Sequence, residues 1–186
     1  MRVDVPVVQA DLAVPGAAQM RLLGTRLAAL LRAGDLVVLA GKLGAGKTTL
    51  VQGIGAGLEV RGPVTSPTFV IARVHPSLRG GPDLVHADAY RLGSSVEVDD
   101  LDLDADLDHS VTVVEWGEGL VENLAAGRLL LTIEMPEPPP AAAAASHADS
   151  WEGEADQARQ VRVTGYGERW LGVAGDLTAA LAQPLR

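Results

Sequence analysis

The stretch DLVVLAGKLGAGKTTL, Asp35 to Leu50, constrains the fold more than any other part of this sequence. Leu36 to Ala40 is apolar at every position, as a strand buried on both faces of a parallel sheet must be. It runs directly into a loop with glycines at 41, 44 and 46, and KTTLVQGIGAGL (Lys47 to Leu58) continues as a helix. Gly41, Gly46, Lys47 and Thr48 satisfy the pattern G-x-x-x-x-G-K-[ST]. Each residue type in that pattern answers to one ligand chemistry. Glycines let successive backbone N–H groups turn inward around a phosphate, and the helix start adds its positive dipole end. Lys47 supplies a compact, flexible cation that a guanidinium fork does not replace, and Thr48 supplies a hydroxyl suited to magnesium. At this composition the pattern arises by chance in roughly 0.2 per cent of such chains. Strand, loop and helix together therefore read as a nucleotide phosphate cradle, with Lys47 expected on a solvated loop facing the phosphates.

Lys42 and Lys47 are the only lysines in the chain, against thirteen arginines. The chemistry accounts for Lys47 and leaves Lys42 without a role. At 186 residues the chain is long enough for one domain with a full core, and we read residues 1–186 as a single unit. There are no cysteines, which excludes disulfide frameworks, thiolate catalysis and cysteine–zinc sites. His75, His86, His109 and His147 show no metal-ligand spacing. The net charge of −9 leaves too few cations for a basic face, so any nucleic-acid role is expected to run through a partner. No apolar run is long enough to span a bilayer, and the N-terminal segment lacks the order of a secretory signal, so a cytoplasmic address is expected.

Strands are expected at Val3 to Gln9, Phe69 to His75, Leu84 to Ala87, Val111 to Glu115, Arg128 to Met135 and Arg159 to Thr164, with a helix from Ala17 to Arg32 stopped by Gly34. Strands alternating with helices define an α/β fold: three layers, a mostly parallel sheet with helices on both faces. The Pro- and Ala-rich stretch at about 136–158 breaks the pattern and reads as a disordered connection or surface insertion. The run EVDDLDLDADLD, Glu97 to Asp108, holds seven acids in twelve residues. It lacks the glycine and the glutamate of a calcium loop, and reads as a solvated acidic edge.

A phosphate loop needs a second acid at a strand end to hold magnesium, and there are two candidates, Asp88 ending LVHAD and Glu115 ending VTVVE. Either could equally be a solvated strand terminus, but Glu115 follows the more apolar run and adjoins Trp116. In PVTSPTFV, Thr65, Ser66 and Thr68 surround Pro67, where small hydroxyls either sense a γ-phosphate or cap the next strand. The sole asparagine, Asn123, has no lysine nearby, so a guanine-reading N-K-x-D box is impossible.

Four motifs occur in order: GKLGAGKTTL, VTSPTF, HADAYRL (His86 to Leu92) and VVEWGEGL (Val113 to Leu120). Together they resemble the TsaE family, the ATPase component of bacterial tRNA threonylcarbamoyladenosine synthesis, over about Ala17 to Met135. The resemblance implies a P-loop NTPase-like fold and Mg2+-dependent ATP hydrolysis on a complex of TsaD- and TsaB-type partners. That complex modifies the adenosine beside the tRNA anticodon, so tRNA is met only indirectly. By position it implies that Gly44, Ala45, Gly46, Lys47, Thr48 and Thr49 hold phosphates, with Gly41 opening the loop, and that Thr48 and Glu115 hold magnesium. Asp88 becomes a catalytic or coupling acid, Ser66 to Phe69 (Thr68 included) a switch, and Trp116 a neighbour of the site. The second loop position, commonly acidic in that family, is Lys42 here. A small-molecule kinase and a nucleotide-gated binding module that barely hydrolyses are the competing readings. The kinase reading lacks an arginine-rich lid, since HPSLRGGPD offers only Arg79.

Overall fold

The computed structural model describes residues 5–67, 71–92, 94, 97–98, 103, 105–136 and 157–185. Its elements are β1 (Pro6–Val14), α1 (Ala17–Ala28), β2 (Leu36–Ala40), α2 (Lys47–Gly57), β3 (Ala72–His75), β4 (Asp83–Asp88), β5 (Ser110–Glu115), β6 (Arg128–Glu134), β7 (Arg159–Tyr166), α3 (Glu168–Leu171) and α4 (Ala174–Ala182). A short 3₁₀ turn, Leu107–His109, precedes β5. The stretch 137–156 and Thr68, Phe69 and Val70 lie outside the described residues, as do residues 99–102 and 104 of the acidic run.

The strands form one seven-stranded sheet in the order β1-β7-β6-β2-β5-β4-β3. The four central strands β6, β2, β5 and β4 are parallel, and the strands beyond them pair antiparallel. The parallel part is thus the centre of a mixed sheet. Pro6 opens the edge strand β1, where its missing N–H breaks no central ladder.

Alternation along the central strands sorts the core into two layers. Val37 and Leu39 of β2 join a large cluster with Met20, Leu23 and Leu27 of α1, Leu50 and Ile54 of α2, and Trp170, Leu177 and Leu181 of α3 and α4. Leu36 and Val38 face the other way, onto Val85, Ala87, Val114, Val121, Val98 and Leu103. Val98 and Leu103 explain part of the acidic run: these two apolar residues are buried against the sheet.

Helices α1 and α2 approach so closely that only glycine fits between them. A Cβ at Gly53 would overlap the Arg21 carbonyl oxygen and lie 2.8 Å from Arg21 C and Cα. One at Gly24 would lie 2.8 Å from Ile54 N and 2.9 Å from Gly53 Cα. Helix α1 stops four residues before the expected end, because Leu30 and Leu31 donate to Leu27 and Ala28 three residues back, tightening the last turn. Gly34 follows at φ 91°. At the N-terminal end of β2, Arg169 grips Asp35 with two 2.9 Å hydrogen bonds and fixes α3 to the sheet.

Candidate functional site

Parallel strands β2, β4 and β5 end level with one another: Leu39 and Asp88 both pair with Glu115. Their carboxyl ends are where an open α/β sheet exposes a crevice. The loop leaving β2 fills it. Gly41 sits at φ 147°, and a Cβ there would lie 2.5 Å from the Ile133 carbonyl oxygen, so the tight exit from β2 requires glycine. Gly46 caps α2 at φ 106° with no side-chain cap, leaving the first helical N–H groups free of intrahelical acceptors.

Thr48, in the first turn of α2, donates its hydroxyl to Glu115 Oε1 at 2.8 Å. His86 Nε2 reaches the same oxygen, also at 2.8 Å, from the neighbouring strand β4. His86 and Glu115 are both buried. A carboxylate only accepts, so Nε2 carries the proton, and His86 Nδ1 has no hydrogen-bond partner among the described residues. Hydroxyl and carboxylate oxygens are the hard donors that magnesium prefers, and the cavity holds two such pairs, Thr48 with Glu115 and Ser66 with Asp88.

Asp88 is also buried. Its Oδ1 accepts the Tyr90 N–H at 2.9 Å and its Oδ2 accepts the Ser66 hydroxyl at 3.4 Å. Its own N–H donates to the Ile71 carbonyl, and Ile71 stands at φ 73°, a costly conformation for a β-branched residue. Thus Asp88 is tied to both ends of the Ser66–Ile71 segment. Of the hydroxyls expected to sense a phosphate, Ser66 lines the site and Thr65 instead accepts from Arg73 at 3.1 Å. Thr68 lies outside the described residues.

Lys47 differs from its sequence expectation. It is buried, donating to the carbonyls of Gly41 at 2.8 Å and Lys42 at 3.0 Å, with its ammonium 3.9 Å from the centre of the Trp116 ring. The reason is that Trp116 leaves β5 at φ 61° and lays its ring over the loop. Burial pushes the Lys47 pKa down, and the charges of Glu115 and Asp88 oppose that shift. Lys42 thereby contributes through its carbonyl, while its side chain is exposed and nothing in the structure explains its charge. Tyr90 packs on Trp116 with ring centres 5.2 Å apart.

Leu43, Gly44, Gly46, Lys47, Thr48, Thr49, Ser66, Asp88, Tyr90, Glu115 and Trp116 line a single cavity of about 380 Å³. Ala45 is packed beneath the loop with no exposed surface, and Gly41 anchors its start. Sequence reasoning missed His86. The one available signal was its alternation with Asp88 in LVHAD, which places both on one strand but not against Glu115.

A glycine-rich strand–loop–helix at the carboxyl ends of parallel strands, with a helix-borne threonine against a strand-end carboxylate, defines a nucleotide-binding protein of the P-loop class. A crystal structure of Bacillus subtilis YdiB shares this fold, with a TM-score of 0.67 and 24% identity, covering 92% of this chain and 95% of that one. The model of the family described as threonylcarbamoyl adenosine biosynthesis protein TsaE matches residues 14–139. A tRNA threonylcarbamoyladenosine biosynthesis protein TsaE from Streptomyces coelicolor is 60% identical over 152 residues, which is 81% of this chain and 93% of that protein. Its counterpart in Mycobacterium tuberculosis is 53% identical over 119 residues, 60% of this chain and 71% of that protein. The chain belongs to the TsaE family of tRNA threonylcarbamoyladenosine biosynthesis. Among the described residues, no helix is long and apolar enough to cross a membrane.

Proposed function

We propose that the protein is a magnesium-dependent ATPase acting with TsaD- and TsaB-type partners in threonylcarbamoylation of the adenosine next to the tRNA anticodon. The observation that carries this reading is the 2.8 Å contact between Thr48 and Glu115 at the head of the glycine loop. It brings together the hydroxyl and the carboxylate that would hold Mg2+ beside the phosphates. Bound there, the cation would neutralise charge on the β- and γ-phosphate oxygens. Gly44 to Thr49 present backbone N–H groups and the helix dipole to the phosphates. His86 holds Glu115 in place through its shared oxygen, so the carboxylate needs no reorganisation when ligand arrives. Asp88, tethered to Ser66 and to the backbone of Ile71, is placed to couple the state of the γ-phosphate to the Ser66–Ile71 segment.

Lys47 supports dependence on partners. Held on two carbonyls and the Trp116 ring, it must leave those contacts to reach a phosphate. A nucleotide or a docked partner that moves Trp116 releases it. The small-molecule kinase reading gains nothing from the structure, since Arg79 pairs with Glu59 at 3.4 Å on the surface. The decisive assay follows phosphate release from Mg-ATP by the chain alone and with TsaD- and TsaB-type proteins. Stimulated release that vanishes in Lys47→Ala supports the reading. A phosphorylated metabolite, or unchanged release from a folded Lys47→Ala protein, refutes it.

A further inference from the structure

Among the described residues, three buried side-chain nitrogens have no hydrogen-bond partner: Trp170 Nε1, His75 Nε2 and His86 Nδ1. The two histidines are neighbours. His75 of β3 lies opposite Leu84 of β4. Residues opposed across an antiparallel ladder project from one face, and His86, two places along β4, shares it. Diagonal positions of this kind are within reach of aromatic rings. The face packs beneath α2, where a Cβ at Gly55 would meet Val64 Cγ2, Val60 Cγ2 and Leu84 Cδ2. Two unpaired nitrogens thus share one apolar layer, in which a polar atom without a partner is costly.

Their other nitrogens fix where the hydrogens sit. His75 Nδ1 lies 3.4 Å from the Arg61 carbonyl oxygen, which only accepts, so Nδ1 carries the hydrogen. Burial above all, and then the nearby His86 and Arg73, push the His75 pKa below its ordinary value against the pull of that carbonyl. The ring is therefore neutral at pH 7, and Nε2 is a bare lone pair. His86 donates from Nε2 to Glu115 Oε1 at 2.8 Å, so the neutral ring presents a lone pair at Nδ1. Two lone pairs cannot bond to each other. A donor with two hydrogens satisfies both, and water is the smallest such group.

We propose that one water bridges His75 Nε2 to His86 Nδ1, and that His75 acts through it as a positioning residue for Glu115. The contacts then run in one line from the Arg61 carbonyl through both rings to Glu115 and on to Thr48. Arg61 follows the C-terminal end of α2 and Thr48 stands in its first turn, so the line closes a ring beneath that helix. Its far end is firmly held. Arg61 N–H donates to the Pro76 carbonyl at 2.8 Å and Leu78 N–H to the Glu59 carbonyl at 3.0 Å, while Val60 bridges to Ser77. A ring anchored at Nε2 alone can pivot on Glu115, whereas a ring anchored at both nitrogens aims the carboxylate.

The positioning role rests on the reading of Glu115 as a magnesium ligand, and two measurements keep the bridge and that reading apart. The first is nitrogen-15 NMR of the full chain without nucleotide, at about pH 8, where histidines are neutral. His75 should show the Nδ1–H tautomer and His86 the Nε2–H tautomer, each assigned from the signal lost in its Gln variant. In His75→Leu the His86 Nδ1 resonance should move toward the value of a free lone pair. The opposite tautomer at either ring overturns the bridge, as does a doubly protonated His86, which would donate straight to His75. The second measurement is magnesium titration of ATP binding. His75→Leu should raise the magnesium requirement about fivefold, less than the roughly 10–100-fold cost of losing a direct orienting group. His75→Gln keeps one donor and one acceptor and should restore the wild-type value. Added to His86→Leu, His75→Leu should change the requirement by no more than about twofold, because the line is already cut. Losses that multiply in the double variant, or equal losses in His75→Leu and His75→Gln, overturn the positioning role. A wild type that binds no Mg-ATP overturns the magnesium reading and that role with it, while the tautomers still decide the bridge.

Discussion

Gly53→Ala tests whether the seating of α2 on α1 sets the position of the phosphate loop. Taken alone, alanine in a helix is favoured over glycine by about 1 kcal/mol. Here the new Cβ would meet Arg21 O, C and Cα, all backbone atoms that no rotamer change can move aside. The helices must part by on the order of 1 Å, an overpacking cost near the upper end of the usual range, about 3 kcal/mol. The net loss is about 2 kcal/mol. With an unfolding entropy of about 0.4 kcal/mol/K for a chain of this size, melting should fall by about 5 °C. The same shift is passed along α2 to Thr48, and a misplacement of that size costs on the order of a hundredfold in turnover. Gly175→Ala in α4 is the control, since a Cβ there meets nothing within 4 Å. It should gain up to about 1 kcal/mol. Thermal melts of both variants and their partner-stimulated phosphate release provide the readout. If Gly53→Ala melts at or above the wild-type temperature, the close helix contact does not constrain the loop and the reasoning fails.

Glu115→Gln should weaken the magnesium dependence of ATP binding, whereas Asp88→Asn should keep Mg-ATP binding and depress turnover; the reverse pattern in magnesium titrations exchanges the two roles. His86→Leu should raise the magnesium concentration needed for ATP binding by roughly 10–100-fold, the usual cost of losing a group that orients a metal ligand. His86→Gln, whose amide can still donate to Glu115, should recover much of that, and equal losses in the two variants would assign His86 a packing role only. Burial lowers the pKa of His75, so the unfolded chain takes up its proton first as pH falls. His75 should therefore cost the fold no stability above about pH 6.5 and destabilise it progressively below that. Urea midpoints between pH 7.5 and 5.5 should drop less in His75→Leu than in the wild type, and parallel curves would count against this.

The strand–loop–helix at the centre of the site was legible because it is local. Strand, glycine loop and helix occupy Leu36 to Gly57 without a break, so pattern and spacing reached Gly41, Lys47 and Thr48 directly. Glu115 was reachable as a candidate because it ends the more apolar of two strands that close on an acid. What escaped was set by pairing between distant strands. His86 meets Glu115 only because β4 lies beside β5, and nothing in LVHAD announces its neighbour. The solvated loop expected for Lys47 became a buried one because of a positive φ at Trp116, which no residue type there would suggest. The antiparallel flanks of the sheet were equally hidden, since apolar alternation gives a strand's faces and not its direction.

Strand β1 has β7 as its sheet neighbour, and Val8 is paired with Gly165 across almost the whole chain. Made before the other strands of this sheet, β1 therefore waits for its partner until β7 has been synthesised. The glycine loop and the parallel strands around it, from Asp35 to Glu134, can assemble in the meantime from neighbouring strands. The edge of the sheet cannot, because β7 must be made before it can close against β1. Closing so long a loop is slow. The pairing of β1 with β7 is thus the one in this sheet that spans the most chain, and until it forms, the β7 side of β6 and both edges of β1 lack their neighbour.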